Sequence, residues 1–313
     1  MPSVTVLIAA RPEQTEIAAV TAARRLDYPA GKLDILVARG KQPSVQRNAA
    51  IKAARGELIY FLDDDSVPPP DNLRLGIAHF SDARVKMVGG PNLCPPGAPA
   101  LEQVFALVLA SWLAFGPSCV RYAAVGRARP ASEKELILCN LLARRDAMLE
   151  LGGFDESLYP NEENALMDEL QKRGGKLIYD PRFIVHRRPR HSLKAFAKML
   201  MTYGRGRAEQ VRVNPTFGSA LNFVPPLFCV YLLALPFLGR IGLAPLGFYV
   251  LALLAQAAAL APRGGIFRSL CAIPLMALSH VLYGVGVWRG LFTELKPAGE
   301  RAAVPVSLEN LPR

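Results

Sequence analysis

The chain lacks most of the short motifs that would place it at once. It has no G-x-G-x-x-G run and no P-loop run, so neither a dinucleotide-binding fold nor a P-loop nucleotide hydrolase is suggested. Its five cysteines, at 94, 119, 139, 229 and 271, fall at no metal-ligand spacing. An odd, scattered set argues for reduced thiols and a cytosol-facing part. Met1-Pro2-Ser3 brings no basic flank, and the apolar run from Val4 to Ala10 is too short for a secretory signal. Acidic residues are in the minority: 26 against 37 Lys and Arg, a formal charge of +11. That balance favours an anionic partner, whether phosphate, nucleotide or acidic membrane surface. Charge is missing altogether from 213–239 and 241–262, and His280 is the only ionisable side chain in 269–288. Each stretch reaches the roughly 20 residues that cross a bilayer, so about three spans are expected within 213–290, followed by a tail at 291–313.

Among the stretches that are present, one stands out: Tyr60-Phe61-Leu62-Asp63-Asp64-Asp65-Ser66. Leu58 to Leu62 reads as a buried strand, and the prolines at 68–70 forbid its continuation. The three carboxylates therefore stand at a strand's C-terminal end, where open α/β sheets bind ligands. Adjacent carboxylates repel unless a cation neutralises them. Hard oxygen ligands of this kind suit Mg²⁺ or Mn²⁺, held by one or two carboxylates and substrate phosphates. The blander reading is a solvated acidic turn capping a helix.

The surrounding pattern supplies a frame. Val4 to Ala10 predicts a first strand, Pro12 to about Leu26 a helix, Leu33 to Ala38 a second strand, and Val45 to Arg55 a helix stopped by Gly56. With the strand at 58–62 this makes βαβ units and a mostly parallel sheet. Further strands are expected at 85–90, 137–143 and 176–179, with helices at 72–80, 145–151 and 165–173. Gln103 to Val120 carries no charge. It reads as a buried or membrane-surface helix broken at Gly116-Pro117, since a crossing there would separate the acidic triplet from a later acidic pair. Residues 182–212 hold nine Lys or Arg and one acid, Glu209. They read as a positive-inside flank and as a phosphate-binding strip. This flank and the loop at 263–268 then lie on the cytoplasmic side, with the C-terminal tail on the far side.

The order of these elements resembles the family-2-type inverting glycosyltransferases of the GT-A fold. Within them it is most similar to membrane-bound bacterial enzymes of exopolysaccharide assembly, the succinoglycan-type subgroup. The resemblance rests on Leu62-Asp63-Asp64-Asp65-Ser66, Gly152-Gly153-Phe154-Asp155-Glu156, Asn161-Glu162-Glu163, Asp180-Pro181 with Val185-His186-Arg187-Arg188-Pro189-Arg190, and Tyr203-Gly204-Arg205-Gly206-Arg207-Ala208. It implies a GT-A domain over residues 1–212, including the basic strip at 182–212, and a membrane region at 213–290.

What the resemblance implies can be carried over residue by residue. Asp63 and Asp65 match the outer positions of the D-x-D motif. Asp65 would bind the divalent ion, Mg²⁺ or Mn²⁺, and Asp63 would contact the ribose or the metal's water shell, with Asp64 beside them on the nucleotide sugar. The metal would neutralise charge on the departing diphosphate. Glu163 would be the general base that takes the acceptor proton, with Glu162 as the other candidate; the bland reading of this pair is charge placed at a helix N-terminus. Arg187, Arg188, Arg190, Arg205 and Arg207 would hold phosphates through their planar forks. An Asp that often follows the second strand is replaced here by Ala38-Arg39-Gly40. Base recognition is therefore assigned to Ala10, Arg11 and Glu13, and to Gln46-Arg47-Asn48, with a UDP-sugar expected by analogy.

The Q-x-x-R-W motif of processive synthases is absent, which favours one transfer per encounter. The expected partners are a nucleotide diphosphate sugar and a lipid-linked acceptor of the polyprenyl-diphosphate saccharide kind. The expected location is the inner membrane, multi-pass, with the catalytic domain in the cytoplasm. A polyprenyl-phosphate monosaccharide transferase and a catalytically silent nucleotide- or lipid-binding membrane component stand as alternatives. No nucleic-acid recognition module is visible.

Overall fold

The structure, a computed structural model, describes all residues except 159–160, 214–221, 296–304 and 313. Tyr159 and Pro160, which open the stretch before the acidic pair, lie outside the described residues, as does part of the first apolar stretch. The chain divides into two compact units. One holds Met1–Pro95, Val120–Arg187 and Lys296–Arg313; the other holds Pro96–Cys119 and Arg188–Leu295. The division falls after Arg187 rather than at 212, so the basic strip belongs almost wholly to the second unit.

The first unit is built on an eight-stranded sheet in the order β10-β2-β1-β3-β7-β4-β8-β6. Its strands are β1 (Val4–Ala10), β2 (Leu33–Arg39), β3 (Leu58–Asp63), β4 (Val85–Gly89), β6 (Arg129–Ala131), β7 (Asn140–Arg144), β8 (Lys176–Tyr179) and β10 (Ser307–Leu311). β5 (Asn92–Leu93) pairs separately with β9 (Val185–His186). β1, β2, β3, β4 and β8 run one way; β7, wedged between β3 and β4, runs the other. The continuous apolar runs of β1 to β3 are explained by their burial: Val4, Val6, Ile8, Ile35, Val37, Leu58 and Tyr60 share one core.

The first helix, α1, is shorter than expected, Ala18–Arg24. Pro12 to Ile17 forms a loop over the ends of β1 and β2 instead, with the Arg39 guanidinium donating to the carbonyls of Gln14 at 2.6 Å and Arg11 at 3.4 Å. α2 (Pro43–Ala53) starts on the proline, whose missing N–H is harmless there. α3 (Asn72–Ile77) and α6 (Arg145–Glu150) connect further strands. α7 begins earlier than expected, Glu162–Lys172, so the acidic pair is its first turn. The C-terminal tail is a strand rather than a free segment: β10 pairs antiparallel with β2, and Glu309 meets Arg39 at 3.1 Å. This corrects the far-side placement of the tail, since Ser307–Leu311 belongs to the same sheet as the acidic triplet.

The second unit is helical. α4 (Ala100–Leu109) and α5 (Trp112–Phe115) are bent by 61° at Ser111, whose hydroxyl accepts from Ala114 N–H. The break comes before the expected Gly116-Pro117, because a capping serine interrupts the helix first. α8 (Leu193–Val213), α9 (Val224–Ala234), α10 (Leu243–Gly264) and α11 (Ile266–Phe292) follow. Among the described residues two helices, Gly239–Gly264 and Ile266–Phe292, are long and apolar enough to cross a membrane, and the bent α4–α5 pair would add a third if it were one span; Val224–Phe237, in the first of the three expected spans, is shorter, and 214–221 of that span lie outside the described residues.

Candidate active site

Asp63 ends β3, and the chain turns there because Ser66 N–H donates back to the Asp63 carbonyl. Val67 then exchanges two backbone hydrogen bonds with His186, both at 2.9 Å. That short pairing brings the β9 segment alongside the triplet and sets Arg187 over it. The segment is also held from beneath. Tyr60 Oη donates to Asn140 Oδ1 at 2.9 Å, Asn72 Nδ2 donates to Tyr60 Oη at 2.7 Å, Asn140 Nδ2 donates to the Phe183 carbonyl, and Ile184 N–H donates to Asn72 Oδ1. Every member of this buried network has a partner, the condition under which such networks fix one arrangement.

Arg187 Nη1 lies 3.0 Å from Asp63 Oδ2, and its Nε lies 2.5 Å from Asp65 Oδ1. Arg47, on α2, completes the group: Nη2 is 3.2 Å from Asp63 Oδ1 and Nη1 is 3.1 Å from Glu162 Oε1. Asp63 is thus held between two guanidinium groups, and one arginine links the end of β3 to the head of α7. Of the residues expected to bind nucleotide sugar, Arg47 stands at the acidic centre and not with the 10–13 loop. Ala10 ends β1, and its carbonyl accepts from Gln46 Nε2 at 2.8 Å. Gln46 also donates to the Ala38 carbonyl at 2.7 Å, tying the ends of β1 and β2 together. Arg11 and Glu13 are exposed in the loop that follows. Asp64 is half-buried, and its carbonyl accepts from Ala19 N–H, which seats the start of α1 against the triplet.

The acidic pair divides into two environments. Glu162 is buried, and burial pushes its carboxyl up to about 7; the charge of Glu163 adds to the shift and Arg47 opposes it. Glu163 is half-buried and makes no hydrogen bond or ion pair among the described residues. Just before them Asn161 has φ +105°, the one described non-glycine residue with positive φ. It is buried, with Nδ2 lacking a partner and Oδ1 accepting from Asn164. Such local strain persists where surrounding structure over-determines it, commonly at sites of function.

Two supports differ from the sequence reading, which gave Asn48 to base recognition and did not single out Glu309. Asn48 accepts from Phe154 N–H at 2.8 Å and donates to the Phe154 carbonyl and Glu156, clamping the Gly152-Gly153 turn that precedes α7. Glu309, far away in sequence, braces Arg39 and through it the 11–14 loop. The expected phosphate-binding arginines do not form one cluster. Arg187 belongs to the first unit and engages the aspartates. In the second unit Arg188 makes a bidentate pair with Glu102, Arg205 stands 3.3 Å from Glu209, and Arg207 donates to Gln210 at 3.0 Å, while Arg190 is exposed.

The donor set at the triplet is all oxygen. Asp63 and Asp65 converge on a single cationic group, the Arg187 guanidinium. No group of three or more His, Cys, Asp or Glu side chains among the described residues makes a closed metal cage. Two carboxylates facing one cation fit Mg²⁺ or Mn²⁺ of the kind completed by substrate phosphates and water.

The family model described as Glycosyl transferase family 2 matches residues 24–99. A pre-mycofactocin glycosyltransferase from Mycobacterium tuberculosis is 25% identical over 176 residues, 52% of this chain and 34% of that protein. The chain therefore spans about a third of the length of the curated relatives it matches. Among solved structures, a mannosyltransferase from Pyrobaculum calidifontis in complex with GDP-Man and Mn²⁺ superposes with a TM-score of 0.60 at 18% identity, covering 93% of this chain and 87% of that one. The S. aureus TarS 1–349 structure with UDP-GlcNAc gives 0.47 at 11% identity, over 92% and 91% of the two chains. The fold of this chain is the GT-A fold, with two apolar helices long enough to cross a membrane near its C-terminal end.

Proposed function

We propose that the protein is a metal-dependent inverting glycosyltransferase that moves a sugar from a nucleotide diphosphate to a lipid-linked acceptor, of the polyprenyl-diphosphate saccharide kind. The observation that carries this reading is the bridge made by Arg47. It places a carboxylate at the end of β3 and an acidic pair at the head of α7 within one site, as a one-step displacement requires. The partial family match and the relative's name support the transfer chemistry; the Mn²⁺ and GDP-Man of the Pyrobaculum structure support a divalent ion and a nucleotide sugar as ligands.

In this reading Asp63 and Asp65 hold Mg²⁺ or Mn²⁺, which neutralises the leaving diphosphate. Arg187, beside both aspartates, would hold a donor phosphate. Glu163 takes the acceptor proton, because its carboxylate is open whereas Glu162 is committed to Arg47. Ala10, Arg11 and Glu13 line the nucleoside end. The catalytic unit faces the cytoplasm at the inner membrane.

Thermal shift on detergent-purified protein, with UDP, GDP, TDP and CMP in the presence and absence of Mn²⁺, tests the donor site. One nucleoside diphosphate should stabilise the wild type only with metal, and Asp65→Ala should lose that response. Glu163→Gln should keep it while losing sugar transfer at least a hundredfold, the scale of a missing general base. Normal turnover by Asp65→Ala would overturn the metal assignment. Loss of nucleotide binding by Glu163→Gln would make that residue structural.

A further inference from the structure

We infer that the helical unit docks into one leaflet of a lipid bilayer, with α10 and α11 lying along the membrane plane and neither of them crossing it. The inference rests on the membrane part of the proposed function and is independent of the transfer chemistry. The surface comes first. Leu233, Phe237, Ile241, Phe248, Ile266 and Phe267 are each between 73% and 88% exposed. Apolar exposure on this scale marks a docking face. Arg240 stands between Phe237 and Ile241, Arg263 ends α10, and Arg268 follows Phe267. Arginines interleaved with bulky apolar side chains match an interface where chains enter hydrocarbon and guanidinium groups stay at anionic headgroups.

Contacts of α11 decide between lying flat and crossing. By length α11 alone can span, but it does not stand alone. A Cβ on Gly286 would collide with the Met201 carbonyl, one on Gly204 with the Tyr283 carbonyl, and one on Gly290 with the Arg205 carbonyl. Further along, Arg212 Nη1 donates to the Gly290 and Thr293 carbonyls. Partners advance together, so α8 and α11 run parallel with their backbones nearly touching. Lys198 and Lys194 precede Met201 by about one and two helical turns, which sets them beside the stretch of α11 around His280. A crossing α11 would therefore hold Lys194 and Lys198 at membrane depth. Each Lys or Arg there costs about 2.5–3.5 kcal/mol. With α8 and α11 in the plane, the same charges reach water and headgroups.

Connectivity gives the same answer. The turn between α10 and α11 lies against α4, where a Cβ on Gly264 would collide with the Leu107 side chain. α4 also carries Glu102, which holds Arg188, the residue at which the chain enters this unit. The hairpin turn thus belongs to the entry end. The chain then returns to the sheet at β10, the same sheet unit that it left after β9. If α10 and α11 crossed, residues 294–306 would have to cross back alone, carrying Glu294, Lys296, Glu300 and Arg301. A segment of that composition does not span a bilayer.

The test uses the full chain with its native cysteines replaced by Ser or Ala. Single cysteines are introduced as Arg240→Cys, Arg263→Cys and Thr293→Cys, one at each end of the two helices. A membrane-impermeant maleimide is applied to spheroplasts of an expressing bacterial host and to inverted vesicles. In-plane docking predicts no labelling from outside at any of the three, and labelling at all three in inverted vesicles or detergent. Labelling from outside at any one position means crossing and overturns the proposal. A second measurement guards against misfolded variants. Phe237→Glu with Phe248→Glu and Phe267→Glu should lower flotation with phosphatidylglycerol/phosphatidylethanolamine vesicles at least tenfold while the nucleotide-dependent thermal shift persists. Unchanged flotation, or a monomer produced from an oligomer by the same changes, would assign the apolar face to a second copy of the chain and not to lipid.

Discussion

Two neighbouring glutamates on one helical turn have been given different chemistry by what surrounds them. Glu162 is buried against Arg47 and its carboxyl is pushed up to about 7 from an ordinary 4.5. Between those two values the folded protein holds a proton that the unfolded chain has released, so stability falls as pH rises through this window. Glu162→Gln keeps the contact to Arg47 through its amide oxygen and removes the titration. Unfolding free energies measured from pH 4 to 8 should decline for the wild type by about 3 kcal/mol in total, at 1.36 kcal/mol per pKa unit. For the variant they should stay flat from this source; an equal decline in both would mean that Glu162 ionises normally. The roles of single residues were only partly legible in the sequence. The triplet and the pair stand out as unusual runs of charge. Arg47 drew notice only as a contact to the base; that it faces two carboxylates comes from the fold, which sets β3 and α7 on either side of it.

At the scale of elements, runs of β-branched and large apolar residues located β1, β2, β3 and β8 almost to the residue, since buried parallel strands admit little else. Helix starts were harder to read. Pro12 looks like a first-turn proline, yet α1 begins only at Ala18, because the 12–17 segment is held over the strand ends by Arg39 and through it by Glu309. That brace comes from the last strand of the chain, beyond the reach of local pattern. The α8–α11 seam was hidden for a related reason: Gly204 lies in the basic strip, Gly286 and Gly290 lie in an apolar stretch, and no local pattern joins them. Close backbone approach depends on small residues there. Gly286→Leu places a Cβ on the Met201 carbonyl, a contact only backbone movement can relieve. Thermal unfolding in detergent should drop by several degrees, with limited proteolysis cutting α8 first. A midpoint within one degree of wild type would mean that the seam is loose.

At the scale of the molecule, the chain passes from the sheet unit to the helical unit and back twice before finishing as β10. The last strand folded from the chain is therefore an edge of the sheet that the first strands begin. Without β10, β2 would present a long unpaired edge, Leu33 to Arg39, whose side chains are mostly buried. Such edges template association with other copies. β10 carries Glu309, Arg39 is its partner, and Arg24 donates to the Pro312 carbonyl, so the cover is specific as well as apolar. The full chain with residues 305–313 removed should therefore self-associate in detergent, seen as higher-order species by sedimentation velocity. It should also bind nucleoside diphosphate more weakly, because the 11–14 loop loses its brace through Arg39. Supplying a peptide of residues 305–313 in excess should reverse both effects. A truncated protein that stays monodisperse and binds nucleotide normally would show that β2 needs no cover, and that the tail's place in the sheet contributes nothing to the donor site.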